Sequence, residues 1–155
     1  MAQAKKKKRA RPAQHQPVPG KQARMEPRPV TERSHHAQRL KGKRALITGG
    51  DSGIGRAVAV AFAQEGCDVA IAFDKETEDA KKTRKLVEEQ GRTCLLIHGD
   101  LTKRSAPGKA VARTVRKLGG LDILVNNAAM QHRQAEFTAI TEEQLMRTFA
   151  VNFFA

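Results

Sequence analysis

The chain has 155 residues, 39% of them hydrophobic, with 29 Lys and Arg against 16 Asp and Glu and a net charge of +13; that is enough for one domain with a modest core. Residues 1–44 hold fourteen of the basic residues and only Glu26 and Glu32 as acids. The remaining fifteen basic and fourteen acidic residues nearly cancel, so the rest of the chain carries no electrostatic signature for nucleic acid. No apolar run approaches the roughly 18 residues of a membrane span, and no stretch of about 7 to 15 apolar residues follows the early positive charges as a secretory signal requires.

Residues 1–39 are expected to form a disordered basic tail, and residues 40–155 the folded part. The tail joins the run Lys5-Lys6-Lys7-Lys8-Arg9-Ala10-Arg11 to five of the six prolines and has few large apolar side chains. Such a segment cannot bury enough surface to offset chain entropy. A basic run of this kind suits nucleic acid, anionic lipid or an import receptor, but no aromatic residue is interleaved for base stacking, which favours a solvated extension. Cys67 and Cys94, in apolar surroundings and without paired spacing, read as reduced core thiols of a cytoplasmic protein. The five histidines show no ligand spacing with carboxylates or thiols, which argues against a metal site.

Taken in order, Arg44 to Thr48 is an apolar strand, and Gly49 to Gly55 is a glycine turn that opens a helix running to about Glu65. Gly49, Gly53 and Gly55 can take backbone angles closed to residues with a Cβ and leave room for a pyrophosphate to reach the main chain at a helix N-terminus. Ile54, Val58, Ala61 and Phe62 recur at helical spacing and are expected to face the sheet. A second strand, Asp68 to Phe73, precedes a polar helix from about Glu76 to Gln90 that stops at Gly91. The third strand spans Thr93 to His98. A helix from about Lys109 to Leu118 presents Val111, Val115 and Leu118 on one face, although Ser105-Ala106-Pro107-Gly108 leaves its start open. The fourth strand leads to Asn126, and Thr141 with Gln144 forms a capping box for a last helix. There Leu145, Thr148, Phe149, Asn152 and Phe153 share a face, so the Asn152 amide needs a specific hydrogen-bond partner if that face is buried.

Alternating apolar strands and helices imply an α/β, doubly wound parallel sheet covered on both faces. A ligand would bind at the carboxyl ends of its strands, where the loops after the first and fourth strands diverge. Asp74 closes the second strand nineteen positions after Gly55, near the separation of about twenty at which an acid reaches adenosine ribose hydroxyls. It reads equally well as a turn residue. Arg56 and Lys75 are both candidates to neutralise a ribose 2′-phosphate. Asp100 follows the third strand with Leu101 beside it, and a helix or turn cap is its plain alternative.

The spacing G-x-x-x-G-x-G directly after Thr48, together with Leu121-Asp122-Ile123-Leu124-Val125-Asn126-Asn127-Ala128-Ala129, resembles the short-chain dehydrogenases and reductases. The resemblance covers residues from about 41 to 155. Gln14-His15-Gln16, Pro19-Gly20 and Met25-Glu26-Pro27-Arg28-Pro29 are similar to the Gln/Pro-rich extension of a bacterial subgroup akin to glucose dehydrogenases. It implies a Rossmann-type sheet, an NAD(P) cofactor, and hydride transfer between nicotinamide and a small alcohol or carbonyl substrate, with a homo-oligomer as a further expectation. Carried over residue by residue, it gives Gly49, Asp51, Ser52, Gly53, Ile54 and Gly55 to the phosphate turn. Asp100 and Leu101 go to the adenine side, and Asn126 and Ala128 line the nicotinamide side. Asn127 is expected to brace the central strands. Asn152 matches the family's catalytic asparagine, which holds a water in a proton relay. In the family the second-strand acid stands one position earlier, at Phe73, so the choice between NAD and NADP stays open at Asp74.

The chain contains no tyrosine, and it stops before the family's serine and Tyr-x-x-x-Lys segments would begin. It is therefore expected to be a C-terminally truncated form of that fold, inactive alone, with its fourth strand as an exposed edge. A noncatalytic dinucleotide-binding or assembly module is the competing reading, and nucleic-acid binding through the tail is a third.

Overall fold

A computed structural model describes residues 37–155. The basic run and the Gln/Pro-rich stretch lie outside the described residues, and so do the expectations made for them. The order of elements is β1 (Arg44–Thr48), α1 (Gly53–Gln64), β2 (Asp68–Phe73), α2 (Thr77–Glu88), β3 (Cys94–His98), α3 (Ala106–Leu118), β4 (Ile123–Val125), a single 3-10 turn at Phe137–Ala139 and α4 (Glu142–Asn152). All strand pairs are parallel, and the sheet order is β3-β2-β1-β4. The chain thus steps outward from β1 to β2 and β3, then crosses to the other side of β1 to lay down β4. That reversal puts a crevice at the carboxyl end of β1, the position where doubly wound sheets bind ligands.

The sheet is apolar on both faces because helices cover both. Ile47, Val69, Ile71 and Phe73 point to one face and pack with Ala59 and Ala63 of α1 and Ala80 and Val87 of α2. Leu46, Ala70, Ala72 and Ile97 point to the other and pack with Ala110 of α3. The two sets alternate along each strand, as the pleat requires. Cys67 and Cys94 are buried and unpaired, and burial pushes their thiols up to about 11 and about 12, far from the reactive thiolate range.

Two helices differ from the sequence expectation. The residues of α1 that turn inward are Gly55, Arg56, Ala59, Val60 and Ala63, whereas Ile54 is 76% exposed and Val58 and Phe62 are only partly covered. Small side chains let the helix sit close on the sheet with Val60 buried beside them; Val58 and Phe62 pack against the core from its margin, as expected in part, and Ile54 does not. Helix α3 begins three residues earlier than Lys109, at Ala106, with Pro107 in its first turn. The missing N–H of proline costs nothing there, because the first-turn amides have no intrahelical acceptor. On the same helix Val115 stays exposed, while Val111 and Leu118 pack against the core.

At the opposite end of the sheet, Asp122 accepts from the Arg44 main-chain N–H at 2.9 Å and from its Nε at 2.8 Å. Arg44 Nη1 also donates to the Gly119 carbonyl at 3.0 Å, which ties the start of β1 to the turn before β4. These bonds hold the Asp122 carboxyl below the usual carboxylate range.

Candidate functional site

The loops that follow β1, β2, β3 and β4 all emerge at one edge. The Gly49 N–H donates to the Ala72 carbonyl at 2.8 Å, and the Gly99 N–H to the Phe73 carbonyl at 2.9 Å. The Asn127 amide donates from Nδ2 to the carbonyls of Thr48 at 2.9 Å and Gly49 at 3.1 Å, joining the loop after β4 to the glycine turn. Asn127 therefore braces the central strands, as its position in the sequence suggests. Thr48 completes the joint, because its hydroxyl accepts from the N–H groups of Asn127 at 3.0 Å and Ala128 at 2.9 Å. Sequence reasoning passed over Thr48, although a hydroxyl immediately before a glycine turn was the available signal.

Within the turn, Gly49 and Gly53 have φ of +63° and +54°, a region that disfavours any side chain. A Cβ at Gly55 would collide with the Gly49 carbonyl oxygen and the Asn127 amide, so that position admits glycine alone. A Cβ at Gly53 would meet nothing within 4 Å, so this position borders open space. The first main-chain bond into α1 is donated by Arg56 to the Ser52 carbonyl at 3.1 Å. The amides of Ile54 and Gly55 precede it and stand outside the helical ladder, as the first N–H groups of any helix do. A glycine turn leading into such amides at a positive helix end has the elements of an anion cradle.

The structure brings Asp51 and Ser52 into this turn, both half-buried. Burial raises the Asp51 pKa above the ordinary value, against a smaller opposing effect of its hydrogen bonds. Asp74, Asp100 and Leu101 line a neighbouring groove of about 760 Å³ at the ends of β2 and β3, with His98, Lys103 and Arg113 among its walls. Asp100 Oδ1 accepts from the Thr102 N–H at 2.9 Å and its hydroxyl at 2.7 Å, and these bonds lower its pKa. Its turn-capping role is thus realised beside whatever ligand the groove takes. Asn126 is exposed and Ala128 half-buried on the β4 side of the same edge.

Two candidates are placed differently from expectation. Arg56 does not face the mouth: it is buried, its Nη2 lies 3.3 Å from Asp79 Oδ1, and its Nε donates to Thr83 Oγ1 at 2.8 Å. It is committed to the protein interior, and Lys75 alone of the two is exposed for a phosphate. Asn152 is exposed, and α4 has no fully buried residue. Its amide nevertheless has the partner its chemistry demands: Oδ1 accepts from the Met130 N–H at 2.7 Å and Nδ2 donates to the Met130 carbonyl at 2.9 Å.

The family model described as short chain dehydrogenase matches residues 43–155, most of the chain and all of the sheet. The chain belongs to the short-chain dehydrogenase family. It is 54% identical over 147 residues to general stress protein 39 of Bacillus subtilis, covering 93% of this chain and 51% of that one. It is 41% identical over 152 residues to the glucose and ribitol dehydrogenase of Daucus carota, covering 93% and 52%. Among solved structures, a short chain dehydrogenase from Burkholderia cenocepacia in complex with NADP superposes with a TM-score of 0.71 at 42% identity, over 74% of this chain and 46% of that one. The chain spans about half the length of the curated relatives it matches. The parallel sheet with helices on both faces is accordingly of the Rossmann type. No described helix is long and apolar enough to cross a membrane.

Proposed function

We propose that this chain carries the dinucleotide-binding half of an NAD(P)-dependent oxidoreductase acting on a small alcohol or carbonyl compound. The observation that carries this reading is the turn from Gly49 to Gly55, where positive φ at Gly49 and Gly53 and a Cβ clash at Gly55 demand glycine, where Gly53 borders open space, and where the helix-opening amides stand outside the helical ladder. The relative crystallised with NADP supports the same cofactor class. A bound nicotinamide supplies the hydride acceptor or donor. The chain's own residues bind and orient it: the turn takes the pyrophosphate, Asp74, Asp100 and Leu101 flank the adenosine, and Asn126 and Ala128 line the nicotinamide side. Asn152, clasped to Met130, is assigned to holding a water of the proton relay.

The 155 residues include no tyrosine, so the phenol that exchanges the proton in this family is not among them. We expect the polypeptide to bind coenzyme without turning it over. Two buried unpaired thiols suit a reducing cytoplasm. Exposed apolar side chains on β4 and α4 favour self-association, which sedimentation velocity would read. The test of the binding function is calorimetric titration with NADPH and with NADH. Saturable binding that Gly53→Val removes is the expected result, and no heat with either coenzyme overturns the proposal.

A further inference from the structure

A buried polar cluster behind the glycine turn has no counterpart in the reading above. Arg56, Asp79 and Thr83 are each at most 6% exposed, and Arg56 and Thr83 converge on one main-chain oxygen. The Asp51 carbonyl accepts from Arg56 Nη2 at 2.6 Å and from the Thr83 hydroxyl at 2.8 Å. The Thr83 hydroxyl itself accepts from Arg56 Nε at 2.8 Å, so its single proton is free to point at Asp51. The other contact of that hydroxyl, to the Asp79 carbonyl, is longer at 3.2 Å. Arg56 Nη2 also reaches the Asp79 carbonyl at 3.0 Å and its carboxylate at 3.3 Å, which fixes the guanidinium in place. Two lone pairs of one carbonyl in the turn are thus saturated by groups from α1 and α2.

A peptide unit is planar and trans, so its N–H points opposite to its C=O. With the Asp51 carbonyl drawn toward the α1–α2 interface, the Ser52 N–H of the same peptide is aimed the other way, away from that interface. Buried donors of this kind are costly to leave unmade, and a chain of three polarises its members. The charge of Arg56 also lies close behind the cradle without occupying it.

We infer that Arg56 and Thr83, steadied by Asp79, are positioning residues for coenzyme binding: they pin the Asp51 carbonyl inward and so present the Ser52 amide to the pyrophosphate. This rests on the proposed phosphate site. It assigns Arg56 to the turn's backbone and not to a ribose 2′-phosphate, so its loss weakens NADH and NADPH alike.

Thr83→Val keeps the shape and deletes the hydroxyl, and Thr83→Ser restores it. In the 155-residue chain, Thr83→Val is expected to displace the Ser52 amide resonance without ligand and to weaken both coenzymes about five- to tenfold, the worth of roughly one hydrogen bond. Thr83→Ser is expected to restore both readouts. Arg56→Lys is expected to weaken both coenzymes by similar factors. A Thr83→Val protein with a lowered melting point but unchanged Ser52 resonance and unchanged affinities would overturn the inference, as would an Arg56→Lys protein weakened for NADPH alone. Wild-type protein that binds neither coenzyme contradicts the phosphate-site reading instead, and the Ser52 resonance in unliganded Thr83→Val still decides whether the pin exists.

Discussion

The two sides of β1 are built very differently. On the β2 side, Val69, Ile71 and Val87 are fully buried between strands and helices. On the β4 side, β4 is a three-residue edge strand, α4 buries no residue, and Phe153 is 77% exposed, with the rings of Phe149, Phe153 and Phe154 set against one another. Apolar sequence is therefore not a sufficient sign of core. The same residue types stabilise where a second layer covers them and add little where none does. The glycine turn stands on the boundary, anchored by β2 and α2 on one side and by Asn127 on the other.

This contrast gives a graded set of expectations. Ile71→Ala should cost about 3 kcal/mol in denaturant unfolding, while Phe153→Ala should change stability by no more than about 0.5 kcal/mol; equal costs would mean that α4 is packed in solution. Gly55→Ala forces a methyl group onto the Gly49 carbonyl and the Asn127 amide. We expect loss of coenzyme binding by at least about tenfold together with a lower melting temperature, and unchanged calorimetry would show that the turn is looser than described.

Smaller effects come from titration. Burial raises the Asp51 pKa, so the folded protein takes up this proton at a higher pH than the unfolded chain does. Its contribution to stability grows as pH falls through that raised pKa and is lost above it. Neutralising a carboxylate in the turn should also tighten binding of NADH as pH falls through that raised pKa, and Asp51→Asn should flatten that profile; a profile that keeps its slope in Asp51→Asn assigns it to another group. Asp122 behaves oppositely. Its lowered pKa means that the contact with Arg44 stabilises above the unfolded carboxylate pKa and fades as pH falls through the folded one. Asp122→Asn should lower the melting temperature at neutral pH, and only slightly because the pair is exposed, while leaving it unchanged in acid below the folded pKa.

Much of this was legible from the residues. β2 stands out as the apolar run Val69 to Phe73 closed by Asp74, and the capping box of Thr141 with Gln144 forms as its residue types dictate. The crevice at the end of β1 followed from alternating elements and two loop motifs. What escaped was burial driven by closeness instead of hydrophobicity. The inward face of α1 is made of Gly55, Ala59, Val60 and Ala63 with a buried arginine, a mostly small-residue pattern that hydrophobic periodicity underweights against Ile54 and Phe62. Thr83 gave a sign that went unused: a hydroxyl between Ala80 and Val87 on an otherwise apolar stripe implies a buried hydrogen-bond partner. The exposure of Asn152 was invisible because helical spacing tells which residues share a face but not whether another element covers it.

The measurement that bears most directly on the phosphate cradle is a titration of isotopically labelled protein with NADPH and NADH, following the main-chain amide resonances of residues 49–55. We expect Ser52, Ile54 and Gly55 to shift progressively and saturably, with resonances of the distant Arg44–Asp122 end unmoved. If both coenzymes leave the turn's amides unchanged at millimolar concentration in well-folded protein, no dinucleotide binds there.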